Sequence, residues 1–134
     1  MNCNTTTNCF NQTQKSFIQW KEHDNTKYLY LNFDGLDSLE VLRSFKTIKN
    51  IILNQPNNSV NILGDLNHLD FSFNTHATAR IVGREVQHKI RKSAILGITN
   101  QNLALFKIYQ VSTNSRAKTF DSYMDAINYI CSNE

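Results

Sequence analysis

The chain has 134 residues and a mass of 15.5 kDa, enough for one domain with a sizeable core but not for two. Hydrophobic residues make up 40% and charged residues 19%, which is typical of a globular chain and excludes a disordered one. No apolar run approaches the ~20 residues of a membrane span, and the start lacks the basic and apolar parts of a signal peptide. The three cysteines lie near the chain ends and form no disulfide framework. We therefore expect a cytoplasmic protein without a membrane span.

The first part of the chain divides into a polar arm and the start of a domain. Residues 1–15 are mostly Asn, Thr and Gln, which predicts a flexible arm, and residues 16–134 are expected to form the domain. Two β-rich runs, residues 17–20 and 28–33, flank a charged turn and predict an antiparallel hairpin. The second run is apolar on both faces, which favours a central strand covered on both sides.

A helix is predicted directly after the hairpin. Asp37 and Glu40 have the three-residue spacing of a capping box, so the helix is expected to begin at Asp37. Its expected buried face has spacings of three and four residues and consists of Leu39, Leu42, Phe45, Ile48 and Ile52. Pro56 stops the helix.

The rest of the chain alternates between strands and helices. Strands are predicted at residues 60–63, ending at Gly64 and Asp65, at 94–98 and at 118–120. Helices are predicted over residues 75–92, from a cap at Thr99 and Asn100 through Val111, and from a cap at Asp121 with Met124, Ile127 and Ile130 on its apolar face. Strands joined by helical crossovers form parallel sheets. The predicted fold class is α/β: a single domain whose N-terminal β-hairpin leads into a mixed, mostly parallel sheet flanked by about four helices.

Signatures of catalysis are absent from the sequence. It contains no Gly-rich phosphate loop, CxxC pair, HExxH or GxSxG motif, so we expect neither enzyme activity nor a cofactor. Asp34 and Asp65 follow predicted strands, and Asp70 lies in the loop beyond, where carboxylates could hold Mg²⁺. Turn formation and helix capping explain these residues more simply, so no metal site is predicted. The hypothesis that the protein is a hydrolase or phosphotransferase is supported only by these carboxylates and the loop hydroxyls.

Positive charge is concentrated in the predicted second helix. Residues 76–92 contain five basic residues and one acidic residue. Three of these arginines and a histidine follow one another at spacings of four, four and three residues, which places them on one face of the predicted helix: Arg80, Arg84, His88 and Arg91. Such a face could bind an acidic or phosphorylated partner, and a solvated face without a partner is the alternative. The net charge of +3 and the lack of interleaved aromatic residues argue against nucleic acid.

Three stretches resemble the STAS superfamily, in particular the stand-alone bacterial SpoIIAA-like proteins related to anti-sigma factor antagonists. KYLYLNFDGL (27–36) resembles the second strand and turn of the family, VNILGDLNHLDF (60–71) the strand that ends in an aspartate before the switch loop, and KTFDSYMDAINYI (118–130) the terminal strand and helix. The resemblance covers about residues 16–131. It implies a mixed sheet flanked by four helices and a regulatory binding module that is not an enzyme.

In the phosphorylated members of that superfamily, a kinase modifies a Ser or Thr at the start of the helix after the aspartate strand. Ser72 and Thr75 lie near this place, but the flanking Ser-Gly pattern of the family is missing. Capping of the helix by either hydroxyl is therefore the favoured interpretation over a phosphorylation switch.

The leading functional hypothesis is a regulatory module that binds another protein, such as an anti-sigma or signalling partner. Its predicted docking surface combines the 67–76 loop with the basic helix and includes Asp65, Asp70, Ser72, Thr75, Arg80 and Arg84. The alternative is a carrier or sensor of a small apolar, lipid-like ligand, which requires a cavity between the sheet and a loosely packed third or fourth helix. The exposed edge of the hairpin would also allow a homodimer.

Overall fold

The structure is a computed structural model that describes residues 17–69 and 73–133, with the side chain of Phe73 outside the description. The arm predicted for residues 1–15 lies outside the described residues. The strands are β1 (Ile18–His23), β2 (Thr26–Asn32), β3 (Val60–Asp65), β4 (Ile90–Leu96) and β5 (Lys118–Phe120). The helices are α1 (Ser38–Leu53), α2 (Phe73–Val86), α3 (Leu103–Thr113) and α4 (Tyr123–Cys131).

The strands form one mixed sheet in the order β1-β2-β3-β4-β5. β1 and β2 pair antiparallel, and the pairs from β2 to β5 are parallel. Asp24 and Asn25 form the two-residue turn of the hairpin with φ values of 48° and 64°, the conformation that Asn and Asp tolerate in such turns. The predicted α/β fold, with a hairpin followed by parallel strands, is confirmed.

Helix α1 begins with the predicted capping box. The Asp37 carboxylate accepts a hydrogen bond from the Glu40 amide at 2.8 Å, and the Asp37 amide donates to Glu40 Oε1 at 2.9 Å. The buried face differs from the predicted one, because it consists of Val41, Ser44, Ile48 and Ile52. Leu39 is 54% exposed, since it lies two residues before Val41 and thus about 200° around the helix axis from it.

The predicted second helix is too long at its C-terminal end. Helix α2 ends at Val86, a 3₁₀ turn covers Gln87–Lys89, and β4 begins at Ile90. The apolar spacing of Val82, Val86 and Ile90 continues across this boundary, and no Gly or Pro marks it. Arg91 therefore belongs to a strand, and the single basic helix face predicted from Arg80 to Arg91 does not exist.

Strand β4 carries two cations that fasten α4 to the sheet. The Lys92 ammonium, on a residue only 6% exposed, donates to the Tyr129 and Ser132 carbonyls at 2.9 and 2.7 Å. Arg91 donates to Asn61 Oδ1 of β3 at 2.8 Å and to the Ile130 and Ser132 carbonyls, each at 3.4 Å. The carbonyls lie at the C-terminal end of α4, where cations are favoured by the helix dipole. Arg91 and Lys92 therefore stabilise the packing of α4 on the sheet and are not part of a docking surface on α2.

The starts of the last two helices also differ slightly from prediction. Asn102 precedes α3 without a side-chain cap, in place of the predicted Thr99 and Asn100. Ser122, not Asp121, caps α4 by accepting from the Asp125 amide at 3.1 Å. Met124 is 52% exposed, so the buried face of α4 consists of Ala126, Ile127 and Ile130.

The sheet separates two apolar layers. On one face, residues of β2 and β3 such as Leu29, Leu31 and Ile62 pack with α1 and α2. On the other face, Leu63 and Ala94 pack with α4. Helix α3 packs mainly on α2. Among the described residues, no helix is long and apolar enough to span a membrane.

Candidate functional site

A cavity of about 160 Å³ lies between the sheet and helices α1, α2 and α3. Its walls are mainly carbon and include side chains from β2, α1, β3, α2 and α3: Leu31, Ile48, Ile62, Val82 and Phe106. Interiors of proteins are normally packed with few voids larger than a water molecule. A space of this size between the sheet and the helices is therefore the principal candidate site.

Small residues on facing walls create the space. Gly64 and Ser93 lie on neighbouring strands of the sheet, and Ala79 and Gly83 lie on α2 opposite them; all four line the cavity. A Cβ on Gly64 would meet Ile95 Cδ1 at 3.3 Å. Because these positions carry little or no side chain, the larger apolar residues around them do not fill the centre.

Gly83 also sets how closely α2 and α3 approach. A Cβ at this position would lie 2.6 Å from the Tyr109 hydroxyl and 2.8 Å from Thr113 Cγ2. The hydroxyl of Tyr109 therefore lies directly against the Gly83 backbone, on the wall of the cavity. A larger residue at position 83 would push the two helices apart.

His76 joins the same two helices at the other end of their contact. Its Nε2 is 2.8 Å from the Leu105 carbonyl, and the residue is 6% exposed. A carbonyl can only accept, so Nε2 carries the hydrogen and donates. In the neutral ring Nδ1 then remains an acceptor.

The described polar residues that line the cavity are uncharged types or a histidine: Thr75, His76, Ser93, Asn102 and Tyr109. Burial raises the pKa of Tyr109, so its phenol keeps its proton and remains a donor at neutral pH. Within residues 17–69 and 73–133, that hydroxyl makes no hydrogen bond. The site thus offers apolar contact and an available hydrogen-bond donor.

The residues predicted for partner binding are dispersed. Thr75 is 2% exposed and lines the cavity, so its hydroxyl is closed to a kinase in this conformation. Arg84 is exposed and donates through Nε to the Ser112 carbonyl at 3.0 Å. Arg80 is partly buried, and its Nε has no hydrogen-bond partner within the described part of the chain. Asp70 and Ser72 lie outside the described residues.

The carboxylates at the strand ends make turn contacts. Asp65 Oδ1 accepts from the Asn67 amide at 3.0 Å and from Asn67 Nδ2 at 2.7 Å. Asp34 Oδ1 lies 2.9 Å from Nδ1 of the exposed His68. Burial, and then the negative charges of Asp65 and Asp34, raise the pKa of Tyr30. Among the described residues, no three His, Cys, Asp or Glu side chains are grouped as metal ligands.

The outer face of α3 is apolar and exposed. Leu103 is 38%, Ile108 48% and Val111 84% exposed. Ile81 of the neighbouring α2 is 54% exposed. Lys107 is the charged residue of α3, and the helix has no acidic residue. Lys107 lies one turn from both Leu103 and Val111, so this exposed face is apolar with a charge within it, and it is a candidate interaction surface.

Of the described residues predicted for partner binding, Thr75 is the one that lines the cavity. The sequence did not single out His76, which is buried between two helices. Gly83 gave one local signal, because a glycine inside a helical pattern costs about 1 kcal/mol relative to alanine and so often has a packing reason. No local pattern marked Tyr109, which meets Gly83 only after both helices are placed.

Comparisons with known proteins give a match in structure but none in sequence. No protein-family model matches the sequence, and no curated protein is detectably similar. Among solved structures, the crystal structure of an uncharacterized protein from the DUF3478 family, from Shewanella loihica PV-4, has a SpoIIAA-like fold and is similar with a TM-score of 0.65. The two sequences are 16% identical, and the match covers 85% of this chain and 92% of that chain. The fold of this protein is therefore SpoIIAA-like, as the three sequence stretches implied.

Proposed function

We propose that this protein is a non-enzymatic binding module that carries or senses a small apolar molecule. The observation that carries the proposal is the apolar cavity of about 160 Å³ between the sheet and α1, α2 and α3. A cavity of this kind is what a ligand carrier requires. The rival docking surface keeps Arg80 and Arg84 on α2, whereas Arg91 and Lys92 lie in β4, so its basic face is shorter than predicted.

The size of the cavity limits the ligand. Apolar cavities of about 150 Å³ bind a single benzene ring, so the expected ligand has one ring or a short chain. Burial of apolar surface contributes about 25 cal/mol per Å² before the entropy cost of association is subtracted. A dissociation constant on the order of 0.1 mM is expected for a simple hydrocarbon probe.

The test uses toluene as a probe and compares two alanine substitutions of equal size. Ala79→Leu fills the cavity from α2, whereas Ala104→Leu adds the same atoms at an exposed position of α3. Toluene is expected to bind the wild type and Ala104→Leu with equal affinity and to bind Ala79→Leu at least tenfold more weakly. Titration followed by NMR gives the affinities.

A direct measurement covers the case in which Ala79→Leu does not fold. Nuclear Overhauser contacts between toluene and the wild-type methyl groups of Ile62 and Val82 place the probe in the cavity. If toluene contacts only surface residues, or binds Ala79→Leu as tightly as wild type, the proposed function is wrong.

A second candidate function is regulatory binding of another protein, favoured by the apolar outer face of α3. Arg84 and Lys107 are exposed on the packed helices α2 and α3, so the complementary partner would present an apolar centre with carboxylates around it. Its test is a pull-down with wild type, with Ile108→Asp/Val111→Asp, and with Met124→Asp, which changes an exposed apolar residue on α4. An acidic protein retained by wild type and Met124→Asp but lost by the double variant supports this function. If retention of every protein is unaffected by the double variant, α3 is not the docking face.

A further inference from the structure

The geometry points to an uncharged ligand with one hydrogen-bond acceptor, a hydroxyl or carbonyl oxygen, that pairs with the Tyr109 hydroxyl in the apolar cavity. This inference deepens the proposed function and rests on it. It follows from the chemistry of the cavity wall and from the position of Tyr109 against Gly83.

Charge is the first discriminating property. Among the described residues, the lining includes no Lys, Arg, Asp or Glu, and neither Arg80 nor Arg84 of α2 is part of it. A carboxylate or ammonium group inside the cavity would therefore lose its hydration without gaining a counter-charge. Burial of an unpaired ion costs far more than burial of a hydrogen-bonded neutral group. Fatty-acid anions and amines are excluded as preferred ligands on this ground.

Tyr109 supplies the polar contact. Its hydroxyl lies on the cavity wall against Gly83 and has no hydrogen-bond partner within the described residues. A ligand oxygen placed beside it would form a bond that the protein alone does not make. A neutral hydrogen bond of this type is expected to strengthen binding by about three- to tenfold. A purely hydrocarbon ligand would leave the hydroxyl without that bond.

Steric crowding fixes where the hydroxyl lies. Thr113 Oγ1 donates to the Tyr109 carbonyl at 2.7 Å, and Thr113 Cγ2 approaches Gly83 from the same side as the phenol. The phenol is thus confined between α2 and α3 and does not have the freedom of a surface tyrosine. A preorganised donor binds an acceptor at low entropic cost.

The experiment compares toluene, p-cresol and 4-methylbenzoate, which share a methyl-substituted ring and differ in one group. Each is titrated at pH 7 into wild type and into Tyr109→Phe, which keeps the ring and removes the hydroxyl. The ratio of the p-cresol and toluene association constants is expected to fall three- to tenfold in Tyr109→Phe. In the wild type, 4-methylbenzoate is expected to bind at least tenfold more weakly than p-cresol.

The outcomes separate the inference from the proposed function. An unchanged p-cresol to toluene ratio in Tyr109→Phe would show that Tyr109 is not the polar contact. Equal affinity for 4-methylbenzoate and p-cresol would show that the site accepts charge. Either result overturns the inference while toluene binding upholds the proposed function. Failure of all three probes to bind would overturn both.

Discussion

Tyr28 and Tyr123 share a hydrogen bond between their hydroxyls on the sheet face covered by α4. Tyr28 is 3% exposed, and Tyr30 and Tyr123 form an edge-to-face ring pair beside it. Burial, and then the hydrogen bond with Tyr123, raise the pKa of Tyr28 well above the usual value for a tyrosine. The folded state therefore holds this proton more tightly than the unfolded state.

This shift predicts a loss of stability in alkali. Below pH 10 both states keep the Tyr28 proton and the contribution to stability is complete; above pH 10 the unfolded state releases the proton first. The free energy of unfolding should thus fall by up to about 1.4 kcal/mol per pH unit from this residue.

Tyr28→Phe isolates the effect, because the other titrating residues are the same in both proteins. Urea unfolding at pH 10 and pH 11 should show a smaller fall for the variant than for the wild type. An equal fall in both proteins would show that Tyr28 titrates alike in the folded and unfolded states.

Elements meet closely where the chain leaves β3 and β4. The Leu66 amide donates to the Leu96 carbonyl at 2.9 Å, which joins the two loops. Gly97 follows with a φ of +90°, and a Cβ there would lie 2.5 Å from the Asn67 nitrogen and 2.7 Å from the Leu66 carbonyl carbon. Gly97 is therefore required by both backbone conformation and space.

Gly35 provides a matched comparison, because its φ is +81° but a Cβ would meet nothing within 4 Å. Gly35→Ala should cost about 1 kcal/mol of unfolding free energy from conformation alone. Gly97→Ala adds a backbone clash and should cost at least about 3 kcal/mol. Chemical denaturation of both variants tests this, and similar costs would mean that the two loops separate easily.

At the scale of the whole molecule, the cavity lies on the side of the sheet that carries three helices. Helix α3 packs mainly on α2 and covers part of the cavity with Leu105, Phe106 and Tyr109. By contrast, β2 and β3 pair with neighbours on both sides. Local stability follows the density of packed contacts, so α3 should open more readily than the central sheet.

Amide hydrogen exchange tests this difference. Amides of α3 are expected to exchange with a lower opening free energy than those of β3. Saturating toluene should raise the protection of α3 more than the protection of α4, which does not line the cavity. Equal protection of α3 and β3 without ligand would show that the molecule opens only as one unit.

The sequence predicted most of the fold because most of its signals are local. The capping box of Asp37 and Glu40 and the short strand at Lys118–Phe120 lie where they were expected. The main error, the end of α2, has a local cause as well. Val82, Val86 and Ile90 keep a helical spacing although Ile90 is already in a strand that pairs with β3, and propensity yields to that pairing.

The candidate site was less predictable, because its residues come from distant parts of the chain. His76 meets Leu105, 29 residues later, and Gly83 meets Tyr109 and Thr113. Sequence reasoning required a cavity between the sheet and the third or fourth helix; the cavity has α3 on its wall, but α1 and α2 line it as well. Asp65 and Arg84, which were singled out for their type and position, make a turn contact and a helix contact.

By itself the sequence determined the order of strands and helices, the hairpin and the interior position of β2, since periodicity, caps and turn residues act over a few neighbours. Only the tertiary structure decided that Lys92 and Arg91 fasten α4 and that small residues face each other across a cavity. Those features depend on which side chains meet when helices pack on a sheet. Packing of that kind is set by shape in three dimensions, which no single stretch of sequence encodes.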